Sequence, residues 1–204
     1  MTTAKERKRR SIRLPTYDYS GPGGYVVTIC THQRKCIFGD IVNGEMRLND
    51  PGRIVADCWR EIRGHFADVE LDEFVVMPNH LHGIVVIRDT DERTWRGEGG
   101  RGKACLAPTS TSFGKPPPQS LSAIVGSFKS AAAKRINELR STPGRPVWQR
   151  NYYEHIIRNP DDLAETRQYI ADNPLQWEFD RENIEATGGR GTAARPWPPW
   201  RSLV

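Results

Sequence analysis

Residues 70–87 read ELDEFVVMPNHLHGIVVI, and no other stretch restricts the fold as strongly. Residues 70–77 and 81–87 are dense in β-branched and apolar side chains, the composition of strands. Pro78-Asn79 between them is turn chemistry, because proline fixes φ and asparagine tolerates tight backbone geometry. A hairpin this apolar cannot stand in water alone, so it requires further strands and a covering layer of helices.

The rest of the chain supplies both. Residues 24–32 (GYVVTICTH) have strand composition, and residues 36–42 read as their continuation or as a second strand. Asn43-Gly44 is a strong hairpin turn leading into residues 45–48. A helix is then expected, with Asp50 as its cap and Pro51 in the first turn. Its apolar stripe is Ile54, Val55, Cys58, Trp59, Ile62 and Phe66. Leu121, Ile124, Val125, Phe128, Ala132, Ile136 and Leu139 repeat at helical spacing in a second helix. Residues 148–158 (WQRNYYEHIIR) read as a strand. A last helix opens at Asp161 or Asp162, runs through Leu163, Arg167 and Ile170, and stops at Asn173-Pro174, since a residue before proline disfavours helix. Strands, hairpins and helices in this order give an α+β fold, with helices packed on an antiparallel sheet.

Two stretches lack periodicity. Residues 89–118 are dominated by Gly, Pro, Ser, Thr and charge, which reads as a flexible insertion. Beyond Glu185 the chain is rich in Gly, Pro and Arg, with Trp197 and Trp200 as its anchors. The expected organisation is a basic arm over 1–19, one domain over 20–185 and a tail over 186–204.

Charge points to an anionic partner. Lys5, Arg7, Lys8, Arg9, Arg10 and Arg13 against Glu6 account for the whole net charge of +5, which leaves the body neutral. Such an arm can reach for phosphates or simply be a solvated tail. Nothing is apolar enough to span a bilayer, and no apolar segment follows the basic N-terminal stretch as a signal peptide requires. A cytoplasmic location is therefore expected. Cys30, Cys36, Cys58 and Cys105 form no C-x-x-C pair, so they read as reduced structural thiols.

Three groups carry chemistry. His80 and His82 are two apart on a strand and share a face. Two imidazoles there can be neutral ligands to one cation, or can fall together by chance on a half-polar strand. A histidine-triad hydrolase is disfavoured, because position 84 is isoleucine. Tyr169 and Asn173 are four apart on the last helix and also share a face, as a nucleophile and ligand would, or as ordinary packing residues would. Trp148, Arg150, Tyr152 and Tyr153 interleave aromatics with a cation, which suits stacking on unpaired bases or, equally, an edge strand with buried aromatics.

With those groups in this order, the chain resembles the REP-associated tyrosine transposases, within the single-tyrosine HUH transposase superfamily. The blocks that carry the resemblance are VVMPNHLHGIVVI, the 148–159 stretch WQRNYYEHIIRN, and YIADNP over 169–174. It spans roughly residues 20 to 180, apart from the insertion. It implies a ferredoxin-like antiparallel sheet with helices packed on it, His80 and His82 as metal ligands, Tyr169 as nucleophile and Asn173 as third ligand. The implied cofactor is Mg²⁺ or Mn²⁺, although imidazole ligands alone suit a softer ion than Mg²⁺. The implied activity is cleavage and strand transfer of single-stranded, hairpin-containing DNA through a 5′-phosphotyrosine, by a monomer or a dimer.

The arm with Arg9 and Arg10, the long helix with Lys129, Lys134, Arg135 and Arg140, and Trp148, Arg150 and Tyr152 are the expected DNA contacts. No phosphate-cradling G-x-x-x-x-G-K-[ST] loop is present, as suits a transfer that exchanges one phosphodiester for another. The alternatives are a catalytically silent DNA-binding regulator on the same fold and a single-strand nuclease that never religates. The insertion and tail depart from the family pattern and bear on which DNA is recognised.

Overall fold

A computed structural model of the chain describes residues 19, 21–89, 117–180, 182 and 183. Arg9 and Arg10, nearly all of the expected insertion and the expected C-terminal tail lie outside the described residues.

Strands β1 (Gly23–Cys30), β4 (Val69–Val76), β5 (His80–Ile87) and β6 (Tyr153–Ile157) form one antiparallel sheet in the order β4-β5-β1-β6. A small hairpin, β2 (Gly39–Val42) with β3 (Glu45–Leu48), stands apart as a second sheet. Its turn residues Asn43 and Gly44 both have positive φ, 55° and 76°, as a tight two-residue hairpin requires. Helices α1 (Asp50–Arg60), the short α2 (Ile62–His65) and α3 (Leu121–Leu139) complete a β-α-β-β-α-β order. With the middle positions held by β5 and β1, this is the ferredoxin-like arrangement.

The sheet is covered on both faces. The larger core lies under α1 and α3, where Tyr25, Val27, Ile29, Leu81 and Val85 meet Val55, Trp59, Ile124 and Phe128. Alternation along β5 turns Ile84 to the opposite face, where it packs with Val26 of β1 and Ile170 of α4 (Pro160–Asp172). At Gly83 the sheet packs tightly against α1: a β-carbon there would run into the indole of Trp59. That indole packs edge-on against Phe128 at 5.2 Å between centroids.

Helix starts differ in detail from expectation. Asn49, not Asp50, caps α1, its side chain accepting from the Gly52 N–H at 3.0 Å, while Asp50 pairs with Arg53. Asn159 caps α4 by accepting from the Asp162 N–H at 2.8 Å. Asp162 is thereby left to accept from the Arg158 N–H and to pair with His155. Asn173 keeps helical dihedrals despite the proline after it, because the chain tightens there into a 3-10 segment, Asn173–Phe179, rather than leaving the helix.

The strand expected from Trp148 begins only at Tyr153. Trp148 makes an isolated bridge to Thr31 and the Gln149 N–H still donates to the Cys30 carbonyl, but the regular ladder is interrupted from there to Tyr153, where Lys129 of α3 meets the backbone. The Lys129 ammonium donates to the carbonyl oxygens of Gln149, Arg150 and Asn151 at 2.7, 3.2 and 3.4 Å.

Candidate functional site

His80 and His82 open β5 on the face that α4 covers, and both side chains are buried. Their rings stand edge-on with centroids 4.5 Å apart. Tyr169 and Asn173, one turn apart on α4 and its continuation, come down over them. The Tyr169 hydroxyl lies 3.2 Å from His82 Nε2, and the Asn173 amide N–H donates to the same hydroxyl. The four residues singled out by resemblance are therefore gathered at one point.

Neighbours orient each ring. Asn79 donates through its amide to the carbonyls of Arg34 and Glu182, at 3.1 and 2.6 Å, so its Oδ1 faces His80 Nδ1 as an acceptor at 2.8 Å. That fixes the proton on Nδ1 and leaves Nε2 with a bare lone pair. His82 Nδ1 lies 2.8 Å from the Thr28 hydroxyl of β1. Helix α4 is held at both flanks. His155 of β6 meets Asp162 at 3.1 Å, and Arg167 reaches Asp72 of β4 at 2.8 and 2.5 Å. The register of β4 shifts between Leu71 and Phe74, and Asp72 sits in that shift.

Asp180 joins the group and was not expected. The 3-10 segment after α4 carries it back over the sheet, and its Oδ2 sits 3.7 Å from His80 Nε2. His80, His82 and Asp180 each offer a ligand atom, all within 4.8 Å of one another. Nothing local to Asp180 in the sequence marks it, since it is one of several acidic residues near the end of the domain. Only the return of the chain past Pro174 brings it in. Glu182 anchors that return, pairing with Arg34 at 2.9 Å and accepting from Cys30 Sγ at 3.4 Å.

The electrostatics are those of a site short of positive charge. Burial, and after it the Arg34 charge, pushes the His80 pKa down from 6.5 to about 3. Burial also lowers His82 well below its ordinary value, with His80 adding to the effect. Burial raises Asp180, and raises the Tyr169 phenol far above its usual range, with the Asp180 charge contributing. Three buried atoms here, His80 Nε2, Asn173 Oδ1 and Asp180 Oδ2, make no hydrogen bond. Buried acceptors left unpaired are costly, and three converging on one point fit a cation. Two imidazole nitrogens with amide and carboxylate oxygens form a mixed N/O donor set suited to a divalent transition metal.

The expected DNA contacts divide. Trp148 is buried, with its indole N–H donating to the Lys129 carbonyl and its ring against Phe38 and Phe128. Lys129 is committed to the 149–151 carbonyls, and Arg135 makes a paired contact with Glu61 at 2.9 and 2.7 Å. Lys134 is exposed, 3.9 Å from Glu138. Arg140 is exposed and reaches the Ile37 carbonyl at 3.3 Å. Arg150 and Tyr152 line a cleft of about 280 Å³ at the β1–β6 side of the sheet, together with Tyr153, Thr28 and Cys30. No described helix is long and apolar enough to cross a membrane.

No family model matches the chain. A REP-associated tyrosine transposase solved bound to a REP hairpin aligns over 85% of this chain and 74% of its own, with TM-score 0.52 and 16% identity. That likeness establishes the fold. A structure from Deinococcus radiodurans R1 aligns over 84% of this chain and 97% of its own at 17% identity, with a TM-score of 0.41. In sequence, an uncharacterized protein of Haemophilus influenzae is 41% identical over 184 residues, which span 87% of this chain and 94% of the relative. The chain belongs to one family with that Haemophilus influenzae protein, and it has the fold of the REP-associated tyrosine transposase.

Proposed function

We propose that this protein is a single-tyrosine transposase that cuts and rejoins single-stranded, hairpin-containing DNA with the help of a divalent cation. The observation that carries this reading is the meeting of Tyr169 with His82 beside three unpaired buried acceptors. A phenol needs activation to act as a nucleophile near neutral pH, and burial here makes that need greater. Bound Mn²⁺ or Mg²⁺ would supply positive charge to a scissile phosphate and to the phenol oxygen.

In this reading His80, His82 and Asn173 would hold the ion, and Asp180 would add a carboxylate to the set. Asn79 keeps His80 in the ligating tautomer. Asn173 also steers the Tyr169 hydroxyl through its amide N–H. Tyr169 attacks phosphorus, forms the 5′-phosphotyrosine and releases a 3′-hydroxyl. That hydroxyl, or another, reverses the step without ATP. The hairpin preference is carried over from the REP hairpin of the similar structure.

The test is incubation of the protein with labelled single-stranded hairpin DNA and Mn²⁺ or EDTA, followed by a denaturing gel. A Mn²⁺-dependent covalent band is expected, absent in Tyr169→Phe and in His80→Ala or His82→Ala, while those variants still retard the DNA on a native gel. Cleavage without an adduct would instead identify a nuclease that uses water. Retardation without cleavage would identify a binding protein.

A further inference from the structure

The cleft at the β1–β6 side is built on the neighbours of both histidines. Thr28 pairs with His82, and Cys30 with His80, across the β1–β5 ladder, and both line the cleft floor. The Thr28 hydroxyl bonds directly to His82 Nδ1. A molecule resting in the cleft therefore lies beside the candidate metal centre. Tyr153, paired with Thr28 on β6, supplies aromatic surface, whereas the Tyr152 ring packs on the core beneath α3, its hydroxyl 3.5 Å from Ser122. Gln149, Arg150 and Asn151 form the rest of the wall, and their side chains make no hydrogen bond to any described residue.

That wall is rigid for its length. Three consecutive carbonyls are gathered onto the single Lys129 ammonium, which is itself half-buried. The Gln149 N–H donates to the Cys30 carbonyl at 2.9 Å, and Trp148 is pinned below by its indole N–H. A loop whose backbone is this committed, while its amide side chains stay uncommitted, is preorganised to present them. Amide side chains can donate and accept at once along a base edge, aromatic rings can stack on a base, and an arginine can meet its phosphate.

Building on the DNA reading above, we propose that this cleft holds one unpaired nucleotide flanking the scissile phosphate. Gln149 and Asn151 discriminate its base, and Lys129 acts as the positioning residue that fixes the loop. Single-strand selectivity follows, because a base held in a duplex stack cannot enter the cleft or lay a face on Tyr153.

The test uses the full chain in EDTA, so that no cleavage intervenes. Fluorescence anisotropy is read with four labelled homopolymeric hexadeoxynucleotides, one for each base. The wild type is expected to favour one base over the weakest by roughly tenfold, the discrimination given by one good amide–base contact. Gln149→Ala with Asn151→Ala removes one half-buried and one exposed side chain and should reduce that preference to about twofold. Lys129→Met should also reduce it, with Mn²⁺ affinity at the histidines unchanged. If the double variant keeps the wild-type preference, or the wild type binds all four equally, the cleft does not read a base and the proposal is wrong. If the wild type binds none of the four, the DNA reading itself fails and takes the cleft with it.

Discussion

His80 is neutral because the fold gives its charge no water, and this has a measurable consequence in the metal-free protein. An unfolded chain takes up the His80 proton near pH 6.5, whereas the folded chain refuses it until about 3. The contribution to stability is therefore complete above 6.5 and is lost as pH falls from 6.5 toward 3. His82, lowered in the same sense, adds to the loss. Asp180 works the other way. Its folded pKa is raised above 3.8, so its contribution is present below that value and is lost as pH rises through the folded pKa. Two histidines against one carboxyl leave a net loss on acidification, at most about 1.4 kcal/mol per pH unit for each uncompensated group. Urea midpoints measured in EDTA between pH 7.5 and 4.5 should fall accordingly. His80→Asn should flatten the profile, and a wild-type profile already flat would show that the histidines are not held neutral by burial.

At the level of elements, the site depends on how closely β5 lies against α1. Gly83 sits between the histidine end of β5 and its apolar end, under the Trp59 ring. Gly83→Ala forces the indole or the strand to move, and overpacking of this kind costs about 1–3 kcal/mol. Thermal denaturation should show that loss, and relief in a Gly83→Ala, Trp59→Leu pair would locate the clash. The elements themselves were largely legible. The Asn43-Gly44 turn, the Pro78-Asn79 hairpin and most of the two apolar stripes stand where local chemistry puts them, but the first stripe breaks after Arg60, leaving Ile62 in α2 and Phe66 beyond it, and Leu139 at the end of the second is exposed. Lys129 and Trp148 were not legible as they stand, because a cation and an aromatic look alike in sequence whether they face DNA or hold a loop. What separates the two roles is the set of three carbonyls on Lys129, and these come from 20 to 22 residues away. Asp180 escaped for the same kind of reason. Its neighbourhood is set by a turn of chain past Pro174, not by any periodicity.

For the whole molecule, the candidate metal centre ties the middle of the chain to its later part. His80 and His82 come from β5, Tyr169 and Asn173 from α4 and its continuation, and Asp180 from the return beyond. A cation bound across them stabilises only the folded state, by about 2.7 kcal/mol at a hundred times its dissociation constant. Mn²⁺ titrated into metal-free protein should therefore raise the melting temperature progressively. His82→Ala should abolish the rise, and Asp180→Asn should demand more metal for the same rise. A melting temperature indifferent to Mn²⁺, with the histidines intact, would mean that no ion bridges these segments.

The span between His82 and Tyr169 also sets a schedule. Eighty-seven positions separate them, and at ribosomal speed that is roughly 4 to 17 seconds of synthesis. During that interval the nascent chain holds both imidazoles but not the phenol that lies against one of them in the folded protein. A polypeptide released in that interval, by a stalled ribosome or a broken message, would carry the pair of histidines without the phenol that meets them.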